Sequence, residues 1–278
     1  SLETPLPPQF KQEEVPRTAG SAHPVAGFFL DCFLAGGILL LLSLVFGAIW
    51  VVGVGLQMIL QEGTAGLDAA ALMHALGQPS PLLMILMTAF STGGTALLLY
   101  YWRRRATTHE FTTSLHALGR PITWAWVGVA GVTTFLFSVF FAAAARYFFQ
   151  IVPEPSNAAL IEEILGTHPA FLVLFAVLLA PAYEELLFRR VLFGRLWAAG
   201  RPWLGLLLSS AVFALVHEIP GVTNNTWPAT LLLWLTYGFM GAVFAAVYWR
   251  TRTLWAAYAA HALNNALALA VMKLYGAH

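Results

Sequence analysis

Hydrophobic residues in this chain come in unbroken blocks, each long enough as an α-helix to cross a bilayer core of about 30 Å, which takes about 20 residues. That feature leaves few folds open. In hydrocarbon every backbone N–H and C=O must be satisfied within the spanning structure, so only helices and closed barrels cross a membrane. Barrel strands alternate apolar and polar residues, and these blocks do not. The expectation is an all-α, polytopic transmembrane helical bundle. Composition agrees: the chain is 59% hydrophobic and 10% charged, where a soluble domain carries about a quarter charged residues. The net charge is +1, with no basic tract, so nucleic acid is not an expected partner. Cys32 is the only cysteine, which excludes an intrachain disulfide and any cysteine-rich metal site.

The blocks predict about seven spans, within a range of six to eight, over residues 26–60, 81–102, 122–152, 169–197, 202–219, 227–249 and 254–273. Residues 1–25, polar and rich in proline, read as a flexible tail. Residues 26–165 then hold three N-terminal membrane helices, and residues 166–275 a four-span core. Short amphipathic helices are expected near 67–76 and 157–165. Basic residues gather in alternate connections: Arg103, Arg104, Arg105 and Arg120, then Arg189, Arg190, Arg195 and Arg201, then Arg250 and Arg252. The other connections carry Glu62, Asp68, Glu154, Glu162, Glu163 and Glu218. Positive residues stay on the cytoplasmic side, so the N-terminus is expected inside and the C-terminus outside, in a bacterial inner membrane given the compact, Ala/Leu/Gly-rich chain.

Ionisable groups within a span are expensive and by default functional. The candidates are Glu184 and Glu185 with Arg189 in the fourth span, His217 in the fifth, and His261 with Asn264 and Asn265 in the seventh. Asp31, Arg146 and Lys273 fall near span ends, where they are expected to stay wet or reach the interface. If spans four and five form a hairpin about Gly200, Glu184 and His217 lie at one depth, about 22–24 Å from the turn at 1.5 Å per residue. A carboxylate facing an imidazole there can polarise a water molecule. Glu185 and Arg189 stand at i, i+4 in the favourable order for an ion pair. Pro181 is expected to kink its helix or free a carbonyl. His261 and Asn265, one turn apart, could donate to a developing oxyanion. By simple helix arithmetic His261 lies roughly 10 Å shallower than the other pair, a gap that tilt or a dipping connection must close.

Other hydrolytic arrangements fit poorly. An H-E-x-x-H zinc motif fails because Gly221 stands where the second His belongs. The only aspartates, Asp31 and Asp68, make no dyad, and no glycine-rich serine turn is present. Glutamate with histidines remains, either activating water directly, with no cofactor required, or holding Zn²⁺ through Glu184, His217 and His261.

Glu184-Glu185-x-x-x-Arg189, Phe213-x-x-x-His217 and His261-x-x-x-Asn265 together resemble the signature motifs of the CAAX protease and bacteriocin-processing family, also called the Abi family. The resemblance covers roughly residues 169–271. It implies intramembrane endopeptidase activity of the glutamate type. The residue matching Glu184 activates water, helped by the one matching His217. Those matching His261 and Asn265 hold the carbonyl and its oxyanion, while those matching Glu185 and Arg189 support the site. The eukaryotic members trim prenylated CAAX proteins. Bacterial relatives are linked to peptide-signal processing, bacteriocin self-immunity and cleavage of C-terminal sorting signals. A membrane-embedded or lipid-modified peptide is the expected partner. The competing reading is a non-catalytic immunity factor, chaperone or scaffold that keeps the polar cluster for structure.

Overall fold

The computed structural model describes residues 23–63, 68–77 and 79–275. Most of the tail expected over residues 1–25 lies outside the described residues. The described residues form ten helices in order: α1 (Pro24–Glu62), α2 (Ala69–Leu76), α3 (Pro81–Arg103), α4 (Thr108–Leu118), α5 (Pro121–Phe149), α6 (Ala158–Thr167), α7 (Pro169–Ala198), α8 (Pro202–His217), α9 (Trp227–Thr251) and α10 (Leu254–Tyr275). Proline occupies the first turn of α1, α3, α5, α7, α8 and α9, where its missing N–H goes unneeded.

Helices stand at all seven expected positions. Five of them, α1, α3, α5, α7 and α9, are long and apolar enough to cross a membrane. Their outward faces carry large exposed apolar side chains such as Phe33, Leu60, Phe140 and Leu231, a surface that only lipid solvates well. The protein is a multi-pass membrane protein. α1, with 39 residues, is about 58 Å long and exceeds one perpendicular crossing. α8 has only 16 residues, about 24 Å, and ends at His217 short of a full crossing. α10 is long enough, but His261, Asn264 and Asn265 dilute its hydropathy.

α7 is the central helix and packs against α1, α3, α8, α9 and α10. α8 returns against it through a turn at Gly200, whose φ of 75° suits glycine. Close approach in this hairpin depends on Gly205, where a Cβ would stand 3.1 Å from the Phe193 carbonyl oxygen. α5 meets α10 at Gly131, where a Cβ would lie 2.8 Å from Leu263 Cδ2 and 2.9 Å from the Ala260 carbonyl oxygen. Gly131→Ala is therefore expected to destabilise the fold by about 1–3 kcal/mol, measured as a lowered unfolding temperature in detergent.

The link between the second and third spans contains α4, an element outside the expectations, opened by a capping box in which Thr107 and Glu110 satisfy each other's backbone N–H groups. One expectation needs correction. Asp31 does not stay wet. It is fully buried and paired with Arg103 at 2.8 Å and with Arg195, because α1, α3 and α7 converge around it. Arg146 and Lys273 are exposed, in line with their place near helix ends.

α4 is tied to the core by Glu110, which accepts from Arg190 Nη2 at 2.7 Å and Nη1 at 3.0 Å. Partial burial works against its ionisation, but the hydrogen bonds from Arg190 and Thr107 outweigh it and hold the carboxyl at about 2, below the ordinary 4.5. A depressed folded-state value means that this stabilisation is complete above pH 4.5 and fades as pH falls towards 2. Wild type and Glu110→Gln are thus expected to differ in thermal stability at pH 7 and to converge as the pH drops below 4.5.

Candidate active site

The site forms where α7, α8 and α10 meet. α7 is not a regular α-helix: it is π-helical over Leu174–Leu179 and again over Leu186–Phe193, on either side of the two glutamates. In the first π segment the N–H of Ala180 bonds back to Phe175. The same register would pair the Ala176 carbonyl with residue 181, which is proline and has no N–H. Asn265 takes the freed carbonyl, its Nδ2 donating to Ala176 O at 2.8 Å. Pro181 thus acts by releasing one acceptor, which fixes α10 against α7 at the level of the site.

Glu184, His217 and His261 converge. Glu184 Oε2 lies 3.6 Å from His217 Nε2 and 3.8 Å from His261 Nε2. These separations are too long for strong direct hydrogen bonds. His217 Nδ1 is 2.7 Å from the Phe213 carbonyl oxygen. A carbonyl only accepts, so Nδ1 carries the proton and Nε2 faces Glu184. His261 Nδ1 is 2.8 Å from Glu185 Oε1, a carboxylate oxygen that accepts the Nδ1 proton and leaves Nε2 towards Glu184. Both rings are held by aromatic neighbours. His217 lies between Phe213 at 4.1 Å and Tyr237 at 4.7 Å, and His261 stacks on Phe244 at 4.7 Å.

The depth difference for His261 closes because its approach is covered. The turn between α9 and α10 is covered on one side by α4: Thr251 and Thr253 are buried, with Thr253 Oγ1 2.7 Å from Ser114 Oγ of α4, while Arg252 between them is exposed. α10 thus starts beneath α4, and its second turn already reaches Glu184.

Glu185 and Arg189 are both fully buried. Arg189 Nε is 3.0 Å from Glu185 Oε2, and its two terminal nitrogens donate to no protein acceptor. Aromatic faces surround the cation instead: its Cζ is 4.5 Å from the Phe213 ring centroid, 5.6 Å from Phe244 and 5.8 Å from Phe188. Glu185 thus has the guanidinium in ion-pair contact with Oε2, without hydrogen-bond geometry, and the His261 imidazole donating to Oε1. Asn264 is buried and donates to Asn265 Oδ1 at 3.0 Å. Asn265 keeps one Nδ2 hydrogen uncommitted.

Glu218 was expected in an outer loop among the other acids. It is instead completely buried. Its carboxylate accepts from the Ser156 N–H, Thr223 Oγ1 and Asn225 Nδ2, and its carbonyl from Trp234 Nε1. Ser156 Oγ also donates to the His217 carbonyl. This latch fixes the chain where α8 stops, and with it the His217 ring. An acid directly after a candidate histidine was visible in the sequence. Its partners, about 60 residues upstream and a few residues downstream, were not.

Among the described residues, no group of three or more His, Cys, Asp or Glu side chains stands in an arrangement that could hold a metal ion. What converges is one carboxylate oxygen and two imidazole nitrogens, each imidazole oriented by a second partner.

Comparison with known proteins bears on the same region. Residues 166–267 match the family described as type II CAAX prenyl endopeptidase Rce1-like. The chain is also 30% identical over 159 residues to a Bacillus subtilis (strain 168) protein named "Putative membrane peptidase YdiL". The match covers 57% of this chain and 59% of that relative, less than two thirds of its length. No solved structure matches.

Proposed function

We propose that the protein is an intramembrane endopeptidase of the glutamate type, a reading supported by the match of residues 166–267 to the type II CAAX prenyl endopeptidase Rce1-like family. The observation that carries the reading is the meeting of Glu184 Oε2 with two imidazole Nε2 atoms, at 3.6 and 3.8 Å, inside a membrane-spanning bundle. In this reading Glu184 takes a proton from water and His217 orients that water through Nε2. The hydroxide oxygen adds to the scissile carbonyl carbon. The oxyanion accepts from His261 Nε2–H and from the free Nδ2 hydrogen of Asn265. That donation by His261 requires a proton on Nε2 while Nδ1 donates to Glu185 Oε1. The proton held by Glu184 then passes to the leaving nitrogen as the C–N bond breaks. Glu185 and Arg189 position these groups without touching substrate.

Two imidazoles and a carboxylate are also the ligand types of an open zinc site, with Glu185 and the Phe213 carbonyl as outer partners. The convergence supports that second version, in which Glu184, His217 and His261 would ligate the ion. We place water activation first because the three motifs that carry Glu184, His217, His261 and Asn265 resemble those of the glutamate-type family.

The proposed substrate is a membrane-embedded or lipid-modified peptide, of CAAX, peptide-signal or sorting-signal type. The proposed setting is a bacterial inner membrane, with the arginine-rich connections and the N-terminus cytoplasmic and the C-terminus outside. Residues 166–275 form the catalytic unit and residues 26–165 the helices that flank it. The test is reconstitution in liposomes with a panel of lipid-modified and unmodified membrane-anchored peptides, reading new termini by mass spectrometry. Wild type is expected to cleave at least one lipid-modified peptide, and His217→Ala to cut the rate by about 10²–10⁴-fold. Equal processing by wild type, Glu184→Ala and His217→Ala would sink the enzyme reading and leave a non-catalytic scaffold.

A further inference from the structure

At the opposite end of α9 from the Glu218 latch, the end of that helix meets the start of α5 in a cavity of about 420 Å³. Trp126, Ala246, Val247 and Trp249 form its apolar wall, and Arg250 and Arg252 its charged end. Both guanidiniums are set by indole rings. Arg250 Cζ lies 5.7 Å from the Trp126 ring centroid and Arg252 Cζ 4.8 Å from that of Trp197. Arg252 is further fixed by a left-handed backbone, φ 62°, closing α9 with its N–H on the Tyr248 carbonyl.

Among the described residues, no carboxylate neutralises the charge at this cavity. Four arginines packed between helices have carboxylate partners: Arg103 and Arg195 with Asp31, Arg190 with Glu110, and Arg189 with Glu185. Among the described residues, neither Arg250 nor Arg252 lies within ion-pair distance of any acid. Two cations at one end of an apolar groove, on a face that meets lipid, complement an anion carrying an apolar chain. Free phosphate would satisfy the cations and leave the indole-lined wall empty. A zwitterionic lipid would bring its own cation against them.

We propose that this groove binds an anionic phospholipid, its phosphodiester between Arg250 and Arg252 and one acyl chain along Trp126, Ala246 and Val247. The site does not depend on the peptidase reading. The purified protein is titrated with phosphatidylglycerol, with phosphatidylcholine of the same chains, and with inorganic phosphate, and retained ligand is counted by native mass spectrometry. Wild type is expected to retain phosphatidylglycerol well above phosphatidylcholine. R250Q/R252Q is expected to lower that affinity roughly 30-fold, the factor that two membrane-surface arginines contribute. Ala246→Phe, at an exposed position, fills the groove while leaving both charges, and is expected to lower retention too; it keeps the test decisive if the double variant does not fold. Equal retention of the two lipids, unchanged retention by either folded variant, or displacement of phosphatidylglycerol by inorganic phosphate at matched concentration would overturn the proposal.

Discussion

Glu184→Gln is expected to abolish peptide-bond cleavage, by about 10²–10⁴-fold or more, while leaving the fold and its thermal stability nearly unchanged. The side chain is nearly isosteric. The contacts it loses are the 3.6 and 3.8 Å approaches to His217 and His261, too long to stabilise the bundle much. What disappears is the carboxylate that, in the proposed reading, accepts a proton from water and returns it to the leaving nitrogen. A substrate-cleavage rate and a melting curve on the same preparation check both halves. A variant that cleaves normally would remove Glu184 from the chemistry. One that unfolds would make it a structural residue.

Glu185→Ala is expected to do the reverse and strike stability first. It leaves the fully buried Arg189 without its counter-ion, and His261 without the acceptor on its Nδ1 that orients the ring. Removing one partner of a buried ion pair destabilises by about 3–5 kcal/mol, a large share of the 5–15 kcal/mol typical of a folded domain. The cage of Phe213, Phe244 and Phe188 lessens the loss but supplies no acceptor. Replacing the pair together, as Glu185→Leu with Arg189→Met, is expected to restore most of the stability, since well-packed apolar residues can substitute for a buried ion pair. Activity is not expected to return, because His261 Nδ1 still lacks its carboxylate. Full activity in that double variant would show that Glu185 does not position His261.

The two adjacent carboxylates therefore divide by geometry. They point about 100° apart on the helix, one towards two imidazoles and one towards an arginine and a single imidazole. That division, and the meeting of Glu184 with His217, was legible in the sequence because a short hairpin turns residue counts directly into depth. The resemblance of three motifs on three apolar helices pointed to the same residues. The position of His261 was not legible. Its depth depends on a turn held under α4 by Thr253 and Ser114, 139 residues apart, and helix arithmetic from a loop assumed to lie at the surface cannot register that. Asp31 was misread for a similar reason, since its partners are 72 and 164 residues away. Glu218 was misread as a loop acid because burial at the end of a short helix leaves no periodic signature. α4 is a different case. Thr107-x-x-Glu110 is a capping box in plain sight, hidden only by the arginine run before it. Pro181 gave notice of a freed carbonyl, but that Ala176 would be the one, and Asn265 its taker, depends on the π register of α7.

The most direct measurement is the cleavage rate of one identified membrane peptide by purified wild type before and after exhaustive chelation, with residual metal counted and Glu184→Gln alongside. Metal-free wild type is expected to keep its full rate while Glu184→Gln stays at background. Loss of activity on chelation with recovery on adding Zn²⁺, or wild-type cleavage by Glu184→Gln, would contradict a carboxylate that activates water on its own.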